Sequence, residues 1–244
     1  MQPKAESQHA NQPVVMYQRW EQLLFLHWSF DPVVIQQTLP PGLTVDTFDG
    51  RAWVGVVPFF MSGVRPRFLP AVPRISNFQE LNLRTYVIDA EGRRGVWFYS
   101  LDTSHRFPVW IARRFFHLNY RYAKMSAERN GPHIQYKSER HLENGWDQPQ
   151  HFEWSPNGVV RRAEQGCLEH FLVERYRLFS FNAKRGELLS GCVSHVPYSV
   201  QDVELSSFST QLFDLNGLMA PTGAPESVLA SAGVSVRIYP LGRV

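Results

Sequence analysis

Two pairs of β-type runs, each closed by a tight-turn signal, constrain the fold of this chain more than any other feature. The first pair, Leu43–Phe48 and Ala52–Val57, is joined through Asp49-Gly50, a dipeptide that supplies the positive φ a hairpin turn needs. The second pair is longer: Phe78–Ile88 and Gly95–Leu101 flank the turn Asp89-Ala90-Glu91-Gly92. On Phe78–Ile88 the two-residue pleat sets Leu81, Leu83, Thr85 and Val87 on one face and Glu80, Asn82, Arg84 and Tyr86 on the other. The apolar face is core. The other carries a carboxylate, an amide and a guanidinium, and the pattern leaves open whether it lines a site, forms an internal ion network or faces solvent.

The remaining elements suit the same β-rich reading, to which an aromatic content of 14% also points. Leu23–Phe30 is apolar apart from His27 and Ser29 and reads as a buried strand. Asp31 as cap and Pro32 in the first turn predict a short helix over Val33–Thr38, stopped by Pro40-Pro41-Gly42. Ser62–Pro73, with Pro66, Pro70 and Pro73 among arginines, reads as a surface loop. Pro108 to about Lys124 reads as a helix, with Val109, Ala112 and Phe116 at helical spacing, and Leu168–Arg175 as a second. A third hairpin is expected from Tyr176–Phe181 and Leu188–Val193 around Lys184-Arg185-Gly186, and Val234–Tyr239 is the last strand. Residues 1–13 are polar and expected to form a disordered tail; 14–244 read as one domain, without repeats or a linker.

Several classes of function find no support. With 25 basic and 22 acidic residues, the net charge of +3 is too balanced for a nucleic-acid partner. The richest apolar run, Trp53–Met61, is broken by Gly55 and Pro58, so no membrane helix is expected. The N-terminal residues lack the apolar core of a signal peptide, and the only two cysteines, Cys167 and Cys192, read as buried thiols, which together suit a reducing cytoplasm. There is no P-loop, no Gly-x-Ser-x-Gly elbow and no dinucleotide glycine fingerprint, so no cofactor is expected. His170 and Glu174 have a metal-binding i, i+4 spacing without a third ligand, and His133, His141 and His151 are scattered through polar segments, so no metal is expected. Homo-oligomerisation is left open.

The strings Phe78-Gln79-Glu80-Leu81-Asn82-Leu83-Arg84-Thr85-Tyr86-Val87 and Gly95-Val96-Trp97-Phe98-Tyr99-Ser100-Leu101-Asp102 resemble the YqjF-like family of uncharacterised conserved bacterial proteins. Asp49–Phe59, Glu174-Arg175-Tyr176 and His195-Val196-Pro197-Tyr198 extend the resemblance from about Trp20 to the C-terminus. That family in turn resembles acetoacetate decarboxylase, through Asp31–Val45, Phe78–Val87 and Phe213–Ile238. The resemblance implies a mainly β (α+β) fold: a cone-shaped antiparallel β barrel or sandwich with a few short helices and a cavity inside. Decarboxylation in that superfamily uses a Schiff-base lysine activated by a neighbouring lysine. In this sequence the paired lysines fall near Tyr120 and Arg121, neither of which forms an imine; Lys124, a few residues away, is the alternative nucleophile. The superfamily's substrate-region arginine falls near Ser29, and its active-site glutamate falls on Glu80.

The expected site therefore takes Glu80 as acid, base or hydrogen-bond anchor and Arg84 or Arg121 as anion clamp, with Asn82, Tyr120 and Trp97 completing the ligand wall. Glu80 and Arg84 lie ~13 Å apart along the strand and would hold opposite ends of a small ligand. Arg113, Arg114 and Arg121, on the expected helix, form either an anion-binding or a solvated face. Trp97 and Tyr99, or alternatively Phe98, line the pocket according to strand phase. The expected function is a pocket for a small carbonyl or carboxylate compound; if it is an enzyme, the activity is lyase- or hydrolase-like and proceeds without an imine. The rival is a non-catalytic ligand-binding or interaction protein that keeps the fold only.

Overall fold

The computed structural model describes residues 12–72, 75–105 and 117–244. The second hairpin is present as expected, whereas of the first only Thr47–Phe48 pairs with Arg51–Ala52, and Leu43–Val45 pairs instead with the stretch 87–89. Strands β1 (Met16–Phe30), β2 (Leu43–Val45), β3 (Thr47–Phe48) and β4 (Arg51–Pro66) lead into β5 (Phe78–Asp89) and β6 (Arg94–Thr103). Asp49 and Gly50 take φ of 48° and 72°, the two consecutive positive values that a two-residue hairpin turn requires. β7 (Tyr120–Asn130), β8 (His133–Leu142), β9 (Gly145–Trp146) and β10 (Gln150–Arg162) follow. β11 (Arg177–Asn182), β12 (Glu187–Ser194), β13 (Ser199–Ser207), β14 (Ser227–Ile238) and β15 (Gly242–Arg243) complete the strands. Three short helices punctuate them among the described residues: α1 (Pro32–Gln36), α2 (Leu168–Val173) and α3 (Gln211–Asp214). No helix among the described residues is long and apolar enough to cross a membrane.

The strands form one mostly antiparallel sheet in the order β15-β12-β11-β6-β7-β8-β10-β13-β14-β1-β4-β5-β2, with β3 on β4 and β9 on β8. Further β5–β6 and β12–β14 pairings tie distant members of that path together. Among the described residues only β6 pairs in parallel, with β7 and β11. Both faces are covered, so β1 and β4 are apolar at consecutive positions and not at alternate ones. Phe25, Val57, Phe59, Tyr86, Leu172 and Val236 pack on one face. Leu24, Leu26, Val54, Val56, Leu81, Leu83, Tyr136 and Trp154 pack on the other.

The structure departs from the sequence reading at definite places. Ser62–Pro66 is not loop but the end of β4, where Arg19 pairs with Ser62 and Met16 with Pro66; the proline stands at the last strand position, where a missing N–H is tolerated. Tyr120–Lys124 is strand and not helix, because the chain pairs with β6 on one side and, from Ala123, with β8 on the other. The Pro108–Phe116 part of that expected helix, with Arg113 and Arg114, lies outside the described residues. So does residues 1–11 of the expected tail. β8, β10 and β13 have no counterpart in the sequence reading: on β8 the buried positions Ile134, Tyr136, Ser138 and Arg140 alternate perfectly, but two of them are polar and dilute the signal. Cys192 is buried as expected, whereas Cys167 is half-buried and caps α2 by accepting the amide of His170 at 3.4 Å.

Candidate functional site

β5 lies between β4 and β6, so both of its edges are hydrogen-bonded and both of its faces are covered. The polar face is therefore interior: Glu80, Asn82, Arg84 and Tyr86 are 2%, 6%, 9% and 0% exposed. Four polar side chains on one buried face must be satisfied there or left wanting.

At one end, the Tyr120 hydroxyl donates to Glu80 Oε2 at 3.0 Å, and the Tyr136 hydroxyl donates to the Glu80 backbone carbonyl at 3.0 Å. Burial, with the neighbouring Asp102 adding to it, pushes the Glu80 carboxyl up to about 8 against the hydrogen bonds from Tyr120 and Asn82. Glu80 is thus a neutral acid at physiological pH, and no ion pair holds it among the described residues.

At the other end, Arg84 Nη2 donates to the Leu172 carbonyl at 3.0 Å and to the Tyr86 hydroxyl at 3.5 Å, and its guanidinium lies over the Phe25 and Tyr86 rings. Its Nε is buried without a partner. Tyr86 donates its own proton to the Leu172 carbonyl at 2.7 Å, so His27, whose Nε2 stands 2.7 Å from the same phenol, is the donor in that contact. Burial and the adjacent Arg84 hold His27 well below the usual imidazole range, leaving a neutral ring with an unpartnered buried Nδ1. Room for this ring comes from Gly55 across the strand pair, where a Cβ would stand 2.7 Å from it. His195 is likewise lowered, to about 4, by burial. No carboxylate reaches Arg84 among the described residues.

Other deeply placed arginines differ. Arg140 donates to both oxygens of Asp102, at 2.6 and 2.8 Å, and to Ser100 Oγ at 2.6 Å. Arg175 meets Asp46 at 2.8 Å.

The candidate residues fall into separate places. Glu80, Asn82 and Tyr120 come together, Arg84 sits further along the same face, and Trp97 and Arg121 stand on the opposite one. The register explains this: Tyr120 pairs with Leu101, itself opposite Asn82, whereas Arg121 pairs with Asp102, opposite Leu81. Trp97 and Arg121 line a hollow of about 390 Å³ on that opposite face, and a second of about 370 Å³ lies near Glu21 and Arg129; neither is lined by Glu80 or Arg84. Lys124 is exposed and pairs in register with Glu139. Ser29 donates to Glu226 and accepts from Arg51 at the surface. Glu174 accepts from the Tyr198 amide at 2.8 Å and from the Tyr176 hydroxyl. Sequence reasoning gave no role to His27, visible only as a break in an apolar run, nor to the Leu172 carbonyl, which no side-chain pattern reveals.

The family model for DUF2071, an uncharacterized conserved protein, matches residues 17–235. The chain belongs to this family. It is 37% identical over 211 residues to the uncharacterized protein YqjF of Bacillus subtilis (strain 168), an alignment covering 86% of this chain and 85% of that one. Among solved structures it is similar to the enduracididine biosynthesis enzyme MppR complexed with pyruvate, at a TM-score of 0.63 and 13% identity over 95% of this chain and 91% of that one. The acetoacetate decarboxylase of Legionella pneumophila follows at a TM-score of 0.60 and 14% identity, over 96% of this chain and 88% of that one. At these identities the likeness shows the fold, which is acetoacetate decarboxylase-like.

Proposed function

We propose that this DUF2071 member binds a small carboxylate or keto acid on the interior face of β5, with Arg84 as the anion clamp and Glu80 as the acid at the ligand's other end. The observation that carries this reading is the buried Arg84 guanidinium, which has no carboxylate partner among the described residues and an unpartnered Nε. A buried charge without a counter-ion is destabilising by several kcal/mol, and a carbonyl and a phenol do not neutralise it. A ligand carboxylate does, through two parallel N–H bonds. It takes the place of the Leu172 carbonyl at Arg84.

The pyruvate bound by MppR on a similar fold supports a keto acid as the first class to try. Tyr120 and Arg121 stand where the resemblance puts the paired lysines, so the chemistry assigned here runs without an imine. Glu80, with a carboxyl near neutrality, suits general acid–base work on a carbonyl. Thermal-shift titration of wild type and Arg84→Ala with pyruvate, acetoacetate and simple 2-hydroxy acids tests the reading. Stabilisation of wild type that the variant loses is expected; no shift with any compound would sink it. Borohydride treatment in the presence of the same keto acids is expected to leave the protein mass unchanged, and an adduct on Lys124 would replace this reading with an imine-forming one.

A second reading rests on the convergence of Arg84 and Tyr86 on the Leu172 carbonyl, which suits a strut that docks α2. In that case the fold serves a non-catalytic protein, and Arg84→Ala lowers thermal stability with every ligand silent.

A further inference from the structure

Where β1 begins and β4 and β14 end, the sheet carries a basic rim. The three stretches that meet there, residues 12–20, 61–72 and 227–238, hold the arginines Arg19, Arg65, Arg67 and Arg237 and no acidic residue. Tyr17 pairs with Arg65 on one side and with Arg237 on the other, which aligns the three side chains across one face of the sheet. The Arg65 guanidinium lies 4.6 Å over the Tyr17 ring. Arg19 turns to Glu21 at 3.4 Å, whereas Arg67 and Arg237 are exposed.

Beyond the rim the chain turns outward and shows apolar side chains to solvent. Pro66 ends β4 and its carbonyl accepts the Leu69 amide at 3.2 Å in a tight turn, with Phe68 and Leu69 at the tip 86% and 58% exposed. Val72 and Ile75 follow, each 48% exposed. The tip has a fixed shape: the Arg67 amide donates to the Val15 carbonyl at 3.0 Å, the Val72 amide to Ser76 Oγ at 2.8 Å, and the Ser76 amide back to the Val72 carbonyl at 2.9 Å. The Arg67 guanidinium lies 5.1 Å from the Phe68 ring, so charge and ring are presented together.

Apolar side chains exposed this closely in sequence form a patch that calls for a partner. A second copy in a two-fold contact would set the rim against itself, arginine facing arginine. An anionic lipid surface suits both parts, since the ring and the leucine enter the boundary between headgroups and acyl chains while the guanidiniums stay among the phosphates and carboxylates.

We infer that the Phe68–Leu69 tip and its arginine rim dock the protein on an anionic lipid surface, lying on it and not crossing it. The inference is independent of the ligand reading of the interior face.

Co-sedimentation with phosphatidylcholine vesicles, with and without about one-third phosphatidylserine, provides the test. Wild type is expected to sediment with the anionic vesicles, far less with the neutral ones, and to be released as salt is raised. Phe68→Ser combined with Leu69→Ser is expected to weaken binding about tenfold or more, as loss of two inserted side chains requires. Arg67→Gln is expected to weaken it roughly fivefold, and only on the anionic vesicles. The changed side chains are exposed, so melting temperatures are expected to match wild type; Phe68→Ala with Leu69→Ala serves, with the same expectation, if the serine pair does not fold. No sedimentation of wild type, equal binding to neutral vesicles, or full binding by the double variant would each overturn the inference. So would a wild-type oligomer that the double variant dissolves while neither binds vesicles, which would assign the tip to a second copy of the chain.

Discussion

Arg140 and Arg84 are both buried guanidiniums that reach across from strands of the same sheet, yet their surroundings are opposite. Arg140 is matched by Asp102 through both carboxylate oxygens and by Ser100, so charge and hydrogen bonds close within the protein. Arg84 faces neutral groups: the Leu172 carbonyl, the Tyr86 phenol, the Phe25 ring and a neutral His27. Burial of a charge does not by itself mark a site; the missing counter-ion does.

Removing each charge while keeping the apolar stem is the most direct way to break this comparison. Arg140→Met removes the guanidinium that is hydrogen-bonded to both oxygens of buried Asp102, leaving only the charge of Arg121 to act on it, and is expected to destabilise the fold by about 3–5 kcal/mol in urea unfolding, with partial recovery on adding Asp102→Asn. A loss below about 1 kcal/mol would mean that the ion pair is dispensable and the contrast empty.

The pH dependence of stability tests the Glu80 end of the same face. Its folded pKa of about 8 lies above the ordinary carboxyl value of 4.5, so the folded state holds a proton that the unfolded state releases, and stability falls as pH rises from about 4.5 to 8. His27 and His195 act in the opposite sense, because their folded values are lowered; their contribution rises with pH and is complete once the unfolded imidazole is neutral, above about 6.5. Between pH 6.5 and 8 the histidines no longer oppose it and the Glu80 effect amounts to at most about 2 kcal/mol, in the same sense as that of Asp102, whose carboxyl burial also raises. Glu80→Gln is expected to flatten that limb; an unchanged slope would place the proton elsewhere.

The smallest effect is expected at Arg84. Arg84→Met should stay within about 1 kcal/mol of wild type, or be more stable, because the lost carbonyl contact is offset by removal of an unneutralised charge. A loss matching that of Arg140→Met would make Arg84 a structural strut.

Much of this was legible in the sequence. The Asp49-Gly50 turn and the face alternation of Phe78–Ile88 follow from local backbone rules that tertiary packing did not override. The interior location of that polar face was not legible, because strand covering depends on β6, α2 and the segment around Leu172, far away in the chain. The strand at Tyr120 was misread because the helical spacing of Val109, Ala112 and Phe116 was extended into Tyr120-Arg121-Tyr122-Ala123, where it no longer holds. Arg140 was overlooked because its partner is 38 positions away and nothing local couples them.

Tyr120 and Arg121 are chain neighbours whose side chains serve opposite sides of one sheet, the phenol reaching Glu80 and the guanidinium bordering the 390 Å³ hollow. A single-residue insertion or deletion just ahead of them would exchange the two, delivering a cation beside Glu80 and a phenol to the hollow. A one-residue change of length in the stretch preceding β7 is therefore expected to alter the polarity of the interior face and of the hollow together.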